Sequence, residues 1–225
     1  MWRVVMIFFL AVFKFIPIVN CQNTANTVMN TKYTEISTEY TGDRIYKSIS
    51  HIHILAPIET TTRVADDLVR DFTTQPNNLF NWAFKGLGLQ GDGKDLIELI
   101  VNSYTYNTGT GVYKGNFDII APGFRNFRNI NIDAIITSKT NSDKSSEIEL
   151  DIKNTNIILK KAYGKMIVND KGEAGSEMNL EVQIKFSWIV DLFLTEKKYR
   201  KIVEWRIMGL LENLRNESLR RIEKT

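Results

Sequence analysis

The sequence predicts an α+β domain in which a curved antiparallel sheet of about seven strands packs on a long C-terminal helix. Three observations carry that prediction. For about a hundred residues after Gly93, apolar side chains recur at every second position, in segments broken by turn residues. From about Leu194 to Ile222 they recur along one stripe at helical spacing instead. The alternation leaves one face polar and one apolar, which is how antiparallel sheets are covered.

Taken in order, the chain opens with Arg3, an apolar run from Val4 to Phe13, and Pro17-Ile18-Val19-Asn20-Cys21-Gln22. An apolar stretch of about ten residues is too short for the roughly 20 that a spanning helix needs, so residues 1–21 read as a secretory signal peptide. Two other readings stay open. Cys21 would tether the protein to a membrane if it were a lipoprotein acceptor, although Ile18-Val19-Asn20 lacks the small residues expected before one, and the segment would be an anchor if uncleaved. The favoured reading places the mature chain in a secreted, periplasmic or envelope compartment. Cleavage after Cys21 removes the single cysteine, so the core must hold the fold without disulfides. It also removes Arg3 and Lys14 and brings the net charge from +3 to about +1. That balance argues against a nucleic-acid partner, which needs a strongly basic face.

Residues 22–43 are rich in Thr and Asn and read as a flexible polar lead into one domain, 44–225. Arg44 to Leu55 reads as a strand ended by Ala56-Pro57. Ile58 to Phe72 reads as a helix with Val64, Leu68 and Phe72 inward and Asp66, Asp67, Arg70 and Asp71 outward, broken by Pro76. Asn77 to Lys85 is a short apolar helix or turn, followed by the glycine-rich stretch Gly86 to Gly93. Strands are expected at Lys94–Tyr106, Val112–Ile120, Arg128–Thr137, Glu147–Lys153, Ile157–Val168 and Glu177–Val190. The last is the plainest, with Met178, Leu180, Val182, Ile184, Phe186, Trp188 and Val190 on one face. The closing helix carries Tyr199, Ile202, Val203, Ile207, Leu210, Leu211 and Leu214 on its apolar stripe, and at about 1.5 Å per residue it spans roughly 40 Å.

Chemistry-bearing patterns are few. Gly86-Leu87-Gly88-Leu89-Gln90-Gly91 matches a dinucleotide fingerprint, but that site needs a strand before the glycines and a helix after them, and here the order is reversed. His51 and His53 are the only histidines. They share a strand face but supply two ligands where zinc needs three or four, so no metal is expected, and they read as polar pocket or surface residues. No serine stands in a nucleophile elbow, so no catalytic residue is assigned. Lys197, Lys198, Arg200 and Lys201 form a basic cluster that could meet anionic headgroups, or could simply be a solvated helix face. The aromatic residues are numerous. They read either as plain core or as the lining of a cavity between sheet and helix, for which Trp82, Phe84, Tyr104, Phe117, Phe186, Trp188, Ile207 and Leu211 are the candidate ligand contacts.

The entry Ile49-Ser50-His51-Ile52-His53-Ile54-Leu55-Ala56-Pro57-Ile58-Glu59 resembles the first strand and Ala-Pro helix start of the START-like, or SRPBCC, helix-grip family. The exit is similar too, with Phe186-Ser187-Trp188, then Tyr199-Arg200-Lys201-Ile202-Val203-Glu204 and Leu210-Leu211-Glu212-Asn213-Leu214. The resemblance spans about residues 44 to 220. It implies a hydrophobic cavity for a lipid or other apolar small molecule, no obligatory cofactor, and the Gly86–Gly93 loop as the mouth of the cavity. The competing expectation is an envelope structural or interaction protein with a solid core, with an enzyme third.

Overall fold

A computed structural model describes residues 34–87, 98–120, 126–141, 145–153, 156, 158–188 and 195–223. The elements are β1 (Thr34–Tyr40), β2 (Ile45–Ile54), α1 (Ile58–Thr74), a 3-10 turn (Asn78–Asn81), β3 (Glu98–Asn107), β4 (Val112–Ile120), β5 (Phe127–Thr140), β6 (Ser146–Ile152), β7 (Leu159–Asp170), a second 3-10 turn (Gly172–Ala174), β8 (Ser176–Phe186) and α2 (Glu196–Ile222). The eight strands form one antiparallel sheet in the order β1-β2-β8-β7-β6-β5-β4-β3. β2 therefore pairs with the last strand of the chain, and α1 carries the chain across to the far edge.

Two expectations need correction. The polar lead is not all lead, because Thr34–Tyr40 forms the edge strand β1, paired with β2 from Thr34↔Ile52 to Tyr40↔Tyr46. Its apolar period is invisible because the buried positions of this strand are the small polar residues Thr34 and Thr38. The last strand is shorter than its alternation suggests. β8 stops at Phe186, where Phe186 N–H donates to Arg44 O at 3.3 Å and Ser187 N–H to Ile158 O at 2.9 Å, and Trp188 lies beyond the ladder, 61% exposed.

Within β8 the alternation is regular. Ser176, Met178, Leu180, Val182, Ile184 and Phe186 are buried, and the residues between them are half-buried on the other face. The outward residues of neighbouring strands meet as charged pairs, among them Lys47 with Glu181 at 3.2 Å, and Lys165 with Glu147 at 2.8 Å and with Glu149 at 3.1 Å. The core lies between the inner sheet face and the two helices. α1 contributes Ile58, Val64, Ala65, Leu68 and Phe72, and α2 contributes Tyr199, Val203, Ile207, Leu210, Leu211 and Leu214. α1 ends where Gln75 N–H donates to Asp71 O at 2.8 Å, just before Pro76.

Candidate functional site

The face of α2 that meets the sheet is seated asymmetrically. It packs on β1, β2 and α1. Under it the strands present small hydroxylated side chains: Thr38 and Ser48, whose hydroxyls are 3.0 Å apart, and Ser50, which donates to Leu180 O at 3.3 Å. Thr34 donates to the Glu212 carboxylate at 2.7 Å and fastens the edge strand to the helix. Small residues let a helix approach a sheet closely on this side. Beside these hydroxyls Tyr46 of β2 meets the helix, and further bulk lies across the inner face, in Tyr113 and Phe117 of β4 and Ile130, Ile132 and Ile136 of β5. Phe72 of α1 covers part of it, its ring centroid 6.3 Å from that of Tyr113.

Five of the eight candidate ligand contacts meet in this interior. Phe84, Phe117, Phe186, Ile207 and Leu211 belong to one buried apolar cluster, drawn from the turn after α1, from β4, from β8 and from α2. Phe186 lies 6.1 Å from Tyr199 in an edge arrangement, and Tyr199 stacks on Tyr46 at 4.0 Å. Burial pushes the Tyr199 phenol well above its ordinary pKa, with only the Ser48 hydroxyl opposing it. Trp82 is half-buried against the cluster, its indole N–H donating to Asp71 at 3.1 Å.

The other candidates are elsewhere. Tyr104 is 38% exposed, stacks on Tyr113 at 6.1 Å and donates its hydroxyl to Thr74 O at 2.9 Å, so it ties β3 to the end of α1. Trp188 stands in solvent because the strand ended before it. His51 and His53 are not pocket residues. Ile52 and Ile54 take the inner positions of β2, which turns both imidazoles to the outer face, where His51 Nε2 stands 3.7 Å from Glu35. Among the described residues no group of three or more His, Cys, Asp or Glu is placed to hold a metal ion.

The segment after the first 3-10 turn is pinned to α2. Asn213 donates from its side-chain amide to Ala83 O and to Lys85 O, both at 3.0 Å. Leu87, 4% exposed, lies over Gly209, where a Cβ would come within 2.3 Å of Leu87 Cδ2. This contact closes one side of the interior at the start of the glycine-rich stretch, and the rest of that stretch, from Gly88 to Gly93, lies outside the described residues.

Sequence reasoning misses two buried charges. Asp71, expected to face outward, is buried and accepts from Arg70 Nη2 at 2.9 Å, Asn78 Nδ2 at 2.6 Å and Trp82 Nε1 at 3.1 Å. Its signal was its place three residues after Leu68 on the buried side of α1. It lines an open cleft of about 630 Å³ between α1, the first 3-10 turn and α2, but its oxygens are already taken, which suits a structural tie better than an acid catalyst. Arg206, 3% exposed on α2, has its guanidinium carbon 5.6 Å from the Trp205 ring centroid.

No protein-family model and no curated protein matches the sequence. Solved structures do match. The di-domain ARO/CYC StfQ from the steffimycin biosynthetic pathway aligns with a TM-score of 0.51 at 10% identity, over 80% of this chain and 53% of that one. The fold is a START-like helix grip. Two further helix-grip matches are a STAR-related lipid transfer protein from Xanthomonas axonopodis, at 11% identity and TM-score 0.48 over 83% of this chain and 94% of that one, and human STARD10, at 10% identity and 0.48 over 84% and 71%. The chain spans about half the length of the di-domain proteins it matches.

Proposed function

We propose that this chain binds a lipid or another apolar small molecule between its sheet and its C-terminal helix, and that it works outside the cytoplasm once residues 1–21 are removed. The observation that carries the reading is the convergence of Phe84, Phe117, Phe186, Ile207 and Leu211 from four separate segments on one apolar interior of a helix-grip fold. Apolar interiors with a few polar groups are the usual form of small-molecule sites. The polar groups here are the Tyr199, Thr38 and Ser48 hydroxyls at the β2 side of α2.

A second reading rests on the Leu87–Gly209 contact and on the nearly complete burial of the cluster: the interior is a solid core, and the protein is an envelope structural or interaction module. Native mass spectrometry of the processed chain, followed by organic extraction, separates the two. A reproducible co-purifying lipid or apolar metabolite supports the binding reading. A clean apo mass that stays unchanged after incubation with a lipid extract overturns it and leaves the solid core.

A further inference from the structure

Charge is distributed unevenly along the strands. The end formed by the start of β7, the end of β8 and the first turns of α2 carries Lys160, Lys161, Lys185, Lys197, Arg200 and Lys201. These belong together in space, because Leu159 and Phe186 are register partners and the Phe186 ring packs on Tyr199 of α2. Lys185 pairs with Asp43 and Arg200 with Glu196, whereas Lys160, Lys161, Lys197 and Lys201 make no ion pair among the described residues. Lys161 even stands directly opposite Lys185 in the ladder, a like-charge pairing that costs stability. The other end of the same strands is acidic, with Glu59, Asp170, Glu173 and Glu177 around Lys171.

The basic end also carries the most exposed large apolar side chain of the described residues, Trp188, 61% exposed. Trp205, 36% exposed, continues the outward stripe of α2 that begins with Lys197 and Lys201, at four-residue spacing and about 12 Å further along the helix. A polyanion such as nucleic acid or an acidic protein would use the lysines. Exposed indoles beside lysines with long alkyl stems suit a lipid–water interface, where the ring sits among headgroups and the ammonium reaches phosphate.

We propose that this end of the molecule docks on an anionic lipid surface, with Lys160, Lys161, Lys197 and Lys201 against the headgroups and Trp188 and Trp205 at the interface. The surface lies on the outside of the fold and does not depend on what the interior holds.

The test is sedimentation of the processed chain, its N-terminus established by intact mass, with vesicles of phosphatidylcholine alone and with vesicles containing about a third phosphatidylserine. The readout is the difference between the two vesicle types, so a residual apolar N-terminus cancels. Binding is expected only to the anionic vesicles and is expected to weaken as salt shortens the Debye length. Changing the four lysines to Gln should lower affinity by about fivefold per lysine, while Lys114→Gln and Lys171→Gln, away from this end, should leave it unchanged. Trp188→Ser with Trp205→Ser should weaken binding severalfold without altering its salt dependence. The altered side chains are exposed, and near-UV circular dichroism checks that each variant is folded. Equal sedimentation with both vesicle types at low salt overturns the proposal, as does equal loss in the control lysine variants. Binding to heparin matching that to anionic vesicles, and unchanged in the tryptophan variant, would assign the patch to a soluble polyanion and overturn it too.

Discussion

Replacing Gly209 with Ala tests whether the segment after α1 closes on the gripping helix as described. In an isolated helix interior the change would stabilise by about 1 kcal/mol, because Ala loses less backbone entropy than Gly. Here the new Cβ would sit 2.3 Å from Leu87 Cδ2, whereas ordinary carbon contacts fall at about 3.5–4.0 Å, so the leucine tip must retreat by roughly 1.5 Å. Leu87 is 4% exposed and packed in the core. Full burial of a leucine stabilises by about 1.5–3 kcal/mol, and partial displacement forfeits half of that, about 0.8–1.5 kcal/mol. The two effects nearly cancel, so Gly209→Ala should lie within about 0.5 kcal/mol of neutral. The decisive comparison is in a Leu87→Ala background. Leu87→Ala alone should cost about 2–5 kcal/mol, and with the obstruction gone Gly209→Ala should now stabilise by about 1 kcal/mol. A double-mutant cycle by urea denaturation, with m-values held constant, should therefore give a coupling of about 0.8–1.5 kcal/mol. If Gly209→Ala stabilises equally in both backgrounds, Leu87 does not lie on the helix and the closure is wrong.

Three further expectations follow from the burial pattern. Phe186→Ala should cost about 3–5 kcal/mol and Trp188→Ala under about 0.5 kcal/mol, two positions apart in a strand-like alternation; equal losses would mean that the ladder continues past Phe186. Tyr199→Phe should change stability at pH 7 by no more than about 1 kcal/mol, since its buried hydroxyl makes no hydrogen bond of ordinary geometry among the described residues. Because burial raises the folded-state pKa of Tyr199, its contribution is present below the unfolded value of about 10 and is lost as the pH rises above it, so the variant should show a shallower alkaline limb in pH-dependent melting. Hydrogen bonds from Lys139 and Lys165 hold the Glu147 carboxyl below its usual range, so its stabilisation is present above the unfolded carboxylate pKa and is lost as the pH falls through the lowered value. Glu147→Gln should accordingly be less stable than the parent at neutral pH, with the gap closing below about pH 4; a gap that persists at low pH would show that the loss is one of packing and not of charge.

Much of the fold is legible in the sequence where the residues themselves carry the period. The alternation from Met178 to Phe186 and the stripe of Tyr199, Val203, Ile207, Leu210, Leu211 and Leu214 both name their buried faces correctly. The same reasoning overruns at Trp188, since a period in the sequence carries no information on where the neighbouring strand stops offering partners. It fails at β1 for the opposite reason. That strand faces α2 at close range, so of its inner positions, Thr34, Ile36 and Thr38, only one is apolar, and a hydrophobic period cannot announce a strand whose fully buried side chains are small and polar.

The candidate site divides in the same way. Phe84, Phe117, Phe186, Ile207 and Leu211 are large and apolar, and burial is where such side chains gain most, so their gathering could be anticipated. His51 and His53 were expected as pocket or surface residues, and the placement of Ile52 and Ile54 inside decided for the outer face. Asp71 and Arg206 are buried charges, and the burial of Asp71 goes with partners, Asn78 and Trp82, that lie beyond the end of its own helix and come into place only with the tertiary fold. Alone, then, the sequence determined the element types, most strand faces and the helix-grip order, because these follow from backbone periodicity within a few residues. Tertiary structure decided the seat of α2 on β1 and β2, the closure of Leu87 on Gly209, and the collection of lysines and indoles at one end, because each requires residues distant in the chain to meet, and only packing brings them together.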